Sequence, residues 1–358
     1  MNETVKQNEK TCACLMAHGR AYPKLQAEDI FKYLFQSVFG CEHLVSGESA
    51  VLGSILREYE AVAKEASPCT DRLDGKYSRV HLSWLNGSLT PETLAKLFCL
   101  SAKKEPDGKA LLEEKLGVAQ ELAAEGLLPI GCAAFEQALD AWRAAGYPAL
   151  HHSDAFRAAY RPAYRVIADR YADFLPLFAK LDGLLDEGDA VVAIEGGSAS
   201  GKTTLAGILK EVYDCNVFHM DDFFLRPAQR TPVRLAEVGG NIDRERFCEE
   251  VLQPLKKKET VCYRPFDCRT QTLREPIPVP PKKLTVVEGV YSLHPAFDVY
   301  YDLAVFLAID AEGQKARIVK RNEPSLAKRF FEEWIPMENR YFSEMQIKRR
   351  CSEIFCIF

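Results

Sequence analysis

The sequence predicts an α/β fold in its C-terminal half, a parallel sheet with flanking helices, preceded by a mainly α-helical domain. Three observations carry that expectation. From residue 190 onward, short apolar runs alternate with helix-length segments: "AVVAIE", "NVFHM", "LTVVE", "LAVFLAI" and "EIFCIF". Such alternation is the pattern of parallel strands joined by crossover helices. The first of these runs feeds a glycine-rich turn and an amphipathic segment, "IEGGSASGKTTLAGIL" from Ile194. In the first half, by contrast, apolar residues recur at helical spacing and long β-branched runs are scarce.

At 358 residues the chain is long for one domain, and two are the natural expectation. The break is placed at "DGLLDEGD", giving a helical domain over 1–185 and an α/β domain over 186–358. In the first, "AEDIFKYLFQSVFG" sets Ile30, Phe31, Leu34, Phe35 and Val38 on one stripe and stops at Gly40, a C-cap. "SAVLGSILREYEAVAKEA" repeats the pattern, and in "TPETLAKLFCLSAKK" Thr90 and Pro91 serve as N-cap and first helical residue. Further helices are expected over 107–125 and 131–145. The last, "PAYRVIADRYADFLPLFAKLDGLLDEG", reads as one helix ending near Gly188 and kinked at Pro176. In the α/β domain, residues 222–283 interrupt the alternation with one helix over 243–255 and the run "REPIPVPPKK". Insertions at the carboxyl edge of such a sheet usually build the substrate site.

Composition narrows the function classes. A hydrophobic share of 47% and a charged share of 27% are those of an ordinary globular chain. A net charge of -5 gives no bulk electrostatic reason for nucleic acid or an anionic membrane as partner. No apolar run approaches the ~20 residues that span a bilayer. The polar N-terminus "MNETVKQNEKTCACLM" lacks a signal peptide's apolar core. The twelve cysteines are scattered with no CxxC pair, which reads as reduced thiols of a cytoplasmic protein.

The chemistry concentrates after the first strand of the second half. Gly196 to Thr203 reads G-x-x-x-x-G-K-T, a P-loop. The backbone of Gly196, Gly197, Ser198, Ala199, Ser200 and Gly201 is expected to wrap a nucleotide's phosphates, with Thr204 in the first helical turn. Lys202 can reach the β- and γ-phosphates, and Thr203 can give its hydroxyl to Mg²⁺. The helix that follows aims its positive end at the same charge. "NVFHM" then ends in Asp221 and Asp222, at the edge beside the loop, where a base for an acceptor hydroxyl belongs. Successive strand residues point opposite ways, so one aspartate faces the phosphates. Asp221 is taken as the base, with Asp222 as the alternative base, a metal ligand or a substrate contact. Glu288 closes "LTVVE" and is assigned to the Mg²⁺ shell, against the plainer reading of a strand-end carboxylate. Between Lys315 and Arg329 six basic residues face one acid, Glu323, and Arg317, Lys320 and Arg321 share a helix face. This run reads as a lid over the phosphates, with Arg321 on the developing charge and Arg317 and Arg329 in support, or as a solvated face.

These residues resemble the uridine kinase and phosphoribulokinase branch of P-loop kinases over roughly Ala190 to Phe358. The likeness rests on "GGSASGKTT", "HMDDFFLRP", "GGNIDRERF", "VVEGVYSLHP" and "ARIVKRN". It implies Asp221 as base for a sugar hydroxyl, Asp243 on ribose hydroxyls unless it is a helix N-cap, and Glu288 at magnesium. Uridine kinases also carry a tyrosine and a histidine that contact the pyrimidine. Here "YRPFDCRTQT" has Phe266 where that tyrosine would fall and no histidine, leaving Tyr263, Arg264 and Asp267 as replacements. The expectation is therefore ATP- and Mg²⁺-dependent phosphorylation of a small-molecule hydroxyl, first a nucleoside 5′-OH such as uridine. The alternatives are another alcohol, pantothenate or a sugar phosphate, and a nucleotide-dependent switch or binding protein.

The first half resembles N-terminal extensions of some bacterial uridine-kinase-like proteins. Its polar candidates are Glu42, His43, Arg79, His81, His151, His152, Arg157, Arg161 and Arg165. They suggest a second anion or substrate pocket, or structural pairs in a regulatory or dimerising module, with a homo-oligomer as the consequence.

Overall fold

The apolar stripe of Ile30, Phe31, Leu34 and Val38 is the buried face of a helix, Ala27–Phe39. That helix belongs to the first of two units into which the chain divides, Met1–Asp182 and Gly183–Phe358. The computed structural model describes residues 3–41, 47–62, 70–85, 89–102 and 108–357; Glu42 and His43 lie outside them. The first unit opens with α1 (Glu3–Ala21), α2 (Ala27–Phe39) and α3 (Glu48–Glu60), then strands β1 (Thr70–Arg72) and β2 (Tyr77–His81). There follow α4 (Pro91–Ser101), α5 (Gly108–Ala124), α6 (Cys132–Ala144), α7 (Asp154–Tyr160), β3 (Tyr164–Ala168), α8 (Asp169–Ala172) and α9 (Leu175–Glu187). Thr90 caps α4 by accepting from the Thr93 N–H, with Pro91 at the first position. Asp182 reaches back to accept from Thr90 and Thr93, tying α9 to that cap.

The single helix expected from Pro162 to Gly188 does not form. Tyr164–Ala168 is instead a strand, antiparallel to β2, with His81 opposite Tyr164 and Tyr77 opposite Ala168. Val166 and Ile167 are β-branched and buried there, and a sheet partner far away in sequence overrides a helical spacing that was only local. Nor does Pro176 kink a helix: it is the second residue of α9, where its missing N–H costs nothing.

The second unit begins with β4 (Ala190–Gly196), α10 (Lys202–Val212) and β5 (Cys215–His219). The insertion holds α11 (Pro232–Ala236), α12 (Arg244–Phe247) and α13 (Gln253–Lys256). It also holds short strands β6 (Val261–Tyr263), β7 (Phe266–Asp267), β8 (Thr272–Leu273) and β9 (Ile277–Val279). Between α12 and α13 the helix widens into a π turn over Cys248–Leu252, just ahead of Pro254, which has no N–H for the regular ladder. The unit closes with β10 (Leu284–Glu288), β11 (Leu303–Ile309), α14 (Ala311–Arg321), α15 (Pro324–Arg329), α16 (Ile335–Glu344) and β12 (Glu353–Ile357).

Five of these strands form one sheet in the order β12-β11-β4-β10-β5, every pair parallel. Parallel pairing demands crossovers and buries both faces, which explains why β10 is buried along its whole length, polar Thr285 and Glu288 included. β4 is central, and its two neighbours are strands that follow it in the chain on opposite sides. The strand order reverses there, so its carboxyl end opens into a crevice. This is an α/β P-loop NTPase fold. Phe223 packs on Phe247 and Tyr263, and Phe247 on Phe297, seating the insertion on the sheet's core. Among the described residues no helix is long and apolar enough to cross a membrane.

Candidate active site

The turn after β4 is shaped by left-handed backbone conformations that L side chains rarely adopt. Gly196 has φ +150, and a Cβ there would lie 2.5 Å from the Leu307 carbonyl oxygen. Ala199 adopts φ +61 and Gly201 φ +100. Gly201 caps α10 without any side-chain bond, so the first N–H groups of an eleven-residue helix are left to a ligand. Lys202 is buried, and its ammonium donates to the carbonyls of Gly196 and Gly197 at 2.9 and 3.0 Å. Ser200 Oγ is buried without a partner, while Thr203 and Thr204 face solvent on the first turn of α10.

Strand register brings the acidic residues to the same edge. Glu288 stands opposite Ile194 on one side and His219 on the other. Thr203 Oγ1 donates to Glu288 Oε1 at 2.9 Å, and His219 Nδ1 lies 2.6 Å from the same oxygen. The Glu288 hydrogen bond raises the His219 pKa against its partial burial. The two aspartates then separate in role. Asp222 Oδ2 accepts from Tyr263 OH at 3.3 Å, and its carbonyl accepts from Arg246 at 2.7 Å. Asp221 makes no hydrogen bond to the described residues. It is solvent-accessible, yet desolvation by surrounding protein raises its pKa, opposed by Lys202 and reinforced by Glu288. The carboxylate is thus reachable from solvent and crowded by protein.

The side chains at this edge fit the groups that a P-loop pattern implies. Among the described residues no trio of His, Cys, Asp and Glu forms a ready metal cage. A hydroxyl and a carboxylate at a strand edge instead suit Mg²⁺, a hard cation that takes its remaining ligands from phosphate and water. The helix N-terminus, the glycine turn and the Lys202 ammonium suit a nucleoside polyphosphate.

Residues that sequence reasoning missed brace the loop from behind. Glu338 on α16 accepts from the Ser198 N–H at 2.9 Å and from its hydroxyl. Gln314 on α14 donates to the Ser198 carbonyl at 2.9 Å. Beneath the loop, Glu195 is fully buried and accepts from Gly196 N at 2.9 Å, Leu293 N at 3.2 Å and Tyr341 OH at 3.0 Å. Burial pushes its pKa up to about 7. A carboxyl raised in the folded state binds its proton more tightly folded than unfolded, so stability is greatest below the unfolded value near 4.5 and falls as pH rises through about 7. The loss is on the order of 3 kcal/mol at most. The denaturant midpoint of the second unit should therefore drop between pH 5 and pH 8, and Glu195→Gln should flatten that drop. Equal slopes in both proteins would show that Glu195 is not its source.

The other expected site residues are distributed as follows. Arg317 reaches the loop, its Nη1 3.4 Å from the Ala199 carbonyl. Arg321 instead lies over the Phe330 ring at 5.7 Å, and Arg329 pairs with Glu333 and stacks on Trp334. Asp243 is buried as the N-cap of α12, accepting from Arg246 N and Gln229 Nε2, so its carboxylate is committed locally. Tyr263 meets Asp222 as described. Phe266 is buried with the Arg230 guanidinium 5.9 Å from its ring centre. Arg264 donates to the carbonyls of Arg274 and Leu273, bracing the hairpin of β7 and β8.

No family model and no curated protein matches the chain. Solved structures do. A protein described as a "possible uridine kinase" from Bacillus stearothermophilus is 22% identical, with a TM-score of 0.37, over 49% of this chain and 99% of that one. A protein from Silicibacter sp. TM1040, provisionally assigned as a fructose transport system kinase, is 22% identical with a TM-score of 0.38, over 46% of this chain and 93% of its own.

Proposed function

We propose that the protein is an ATP- and Mg²⁺-dependent kinase for a small-molecule hydroxyl, with a nucleoside 5′-OH such as that of uridine as the first candidate acceptor. The observation that carries this reading is Asp221: an accessible carboxylate with no hydrogen bond to the described residues, at the sheet edge that also holds Lys202, Thr203 and Glu288. A P-loop alone binds nucleotide; a free base beside it gives the bound phosphate somewhere to go.

In this mechanism the loop amides and Lys202 would hold the donor phosphates, and Thr203 and Glu288 would hold the metal. Bound magnesium would supply charge neutralisation on the phosphate oxygens. His219, on the same Glu288 oxygen as Thr203, orients that carboxylate. Asp221 accepts the acceptor's hydroxyl proton as the new O–P bond forms and the bond to the leaving diphosphate breaks. Arg317, which reaches the loop from α14, supports the charge on the transferring group.

A second reading keeps the chemistry and changes the acceptor to an anionic alcohol such as a sugar phosphate. Arg230 favours it: the residue is exposed, its one side-chain hydrogen bond among the described residues is from Nε to the Leu225 carbonyl, and its guanidinium lies over Phe266. Purified protein with ATP and Mg²⁺ should phosphorylate one class in a panel of nucleosides, sugar phosphates and pantothenate, read as product mass. ATP turnover with no phosphorylated acceptor across the panel would end the kinase reading, and a sugar phosphate as sole product would replace the nucleoside.

A further inference from the structure

The polar residues of the first unit gather around one buried arginine. Arg79 on β2 is 2% exposed. Its Nε and Nη2 both donate to Gln36 Oε1, at 3.0 and 2.8 Å, and its guanidinium lies 5.5 and 4.6 Å from the ring centres of Tyr33 and Tyr164. Nη1 makes no hydrogen bond, and no carboxylate lies within ion-pair distance, among the described residues. A buried guanidinium whose nearest carboxylate, Asp71, acts on it only at longer range than an ion pair keeps part of its desolvation cost. The carboxylates of this region are already engaged. Asp29 pairs with His152 Nδ1 at 2.8 Å and accepts from Ser153 N and Oγ, and Asp71 pairs with His81 Nε2 at 2.8 Å.

A second orphan flanks the same tyrosine. His18 on α1 is 8% exposed, its ring 4.4 Å from that of Tyr33 and 4.8 Å from that of Tyr22, and its buried Nε2 has no partner. Burial first, then the Arg79 charge, lower its pKa to about 3, so the imidazole is neutral at pH 7. Behind these groups runs a fixed chain: Asp29 to His152, His152 Nε2 to Tyr164 OH at 2.6 Å, and Tyr164 OH to Gln36 at 3.4 Å. That chain sets the acceptor and one of the rings that position Arg79. Residues from both helices α1 and α2, all three strands and the N-cap of α7 thus converge on the buried Nε2 of His18, which has no partner among the described residues, and on the Arg79 guanidinium, whose Nη1 is uncommitted.

We infer that this cluster is a binding site for a small carboxylate monoanion, held by Arg79 Nη1 and His18 Nε2 and walled by Tyr22, Tyr33 and Tyr164. Charge balance selects the class. Arg79 is the full cation beside a neutral imidazole, with Asp29 and Asp71 acting on the same groups, so at most a single added negative charge is tolerated and a phosphate dianion is disfavoured. Of the other cationic candidates in the first half, Arg165 pairs with Glu58, Arg157 pairs with Asp154, and His151 is exposed.

The full-length protein should be titrated with sodium acetate and sodium benzoate, with phosphate and chloride as comparison anions. A carboxylate should raise the Tm saturably, by about 5–10 °C once its concentration is ~100-fold above its Kd. NMR of labelled histidines should show the His18 pKa rising on saturation, because the bound anion favours the imidazolium. Arg79→Met should abolish both responses, and His18→Gln should weaken the Tm response. If Arg79→Met fails to fold, the wild-type NMR titration decides. No response to either carboxylate, or an undiminished one in Arg79→Met, would overturn the site; a response to phosphate alone would overturn the assigned class. None of these readouts depends on phosphoryl transfer.

Discussion

Lys202→Ala should reduce acceptor phosphorylation by about 10²–10³-fold, the usual consequence of removing one preorganised donor from developing phosphate charge. The residue is buried with its ammonium on the loop's own carbonyls, so the substitution acts on the loop as well as on the ligand. Two charge-assisted hydrogen bonds vanish, and the carbonyls of Gly196 and Gly197 lose their donor. Thermal unfolding of the variant without nucleotide separates these effects. Little change in Tm with lost turnover places the role in phosphate binding, whereas a large fall in Tm makes the lysine chiefly a loop strut. Lys202→Arg is not expected to rescue activity, because a planar fork cannot replace a compact ammonium in a cavity shaped by two carbonyls. Near-normal turnover in Lys202→Ala would remove the P-loop from the mechanism.

How much of this was legible depends on how local each signal is. The inner strands β4, β10 and β11 declare themselves because a parallel sheet buries both faces and leaves mainly apolar runs, whereas the edge strand β12 shows as an apolar run although none of its residues is buried. The phosphate cradle is legible for the same reason, since its glycines and Lys202 lie within one turn. Tyr164–Ala168 is not, because five residues fit a helix or a strand equally well until β2 pairs with them. Glu338 is 140 positions from the serine it holds, and no local pattern announces such a contact. His219 was visible but overshadowed by the aspartates two and three residues on. The shared helix face of Arg317 and Arg321 was a sound reading of α14, yet face alone does not fix direction: one side chain goes to the loop, the other to Phe330. At Asp243 the capping geometry sits on the position that the family likeness gives to ribose. A capping carboxylate that also accepts from Gln229 has little capacity left for substrate.

Asp221→Asn should lower turnover by about 10²–10⁴-fold, towards the smaller end because phosphoryl transfer relies more on positioning than on the base. Since Asp221 makes no hydrogen bond to the described residues, the isosteric amide should leave Tm nearly unchanged. Nucleotide affinity should also persist, because the loop and Lys202 are untouched. The pH profile carries a further check. Desolvation raises the Asp221 pKa above the ordinary aspartate value, so the acid limb of kcat/KM in the wild type should lie at higher pH than a free aspartate would give. Below that limb the base is protonated and cannot take the hydroxyl proton; above it the carboxylate is available. In Asp221→Asn that limb should disappear from whatever activity remains. Asp222→Asn provides the contrast, since Asp222 already accepts from Tyr263 OH and its loss should act mainly through acceptor KM. If instead Asp222→Asn abolishes turnover while Asp221→Asn retains it, the base is the hydrogen-bonded aspartate and Asp221 is not.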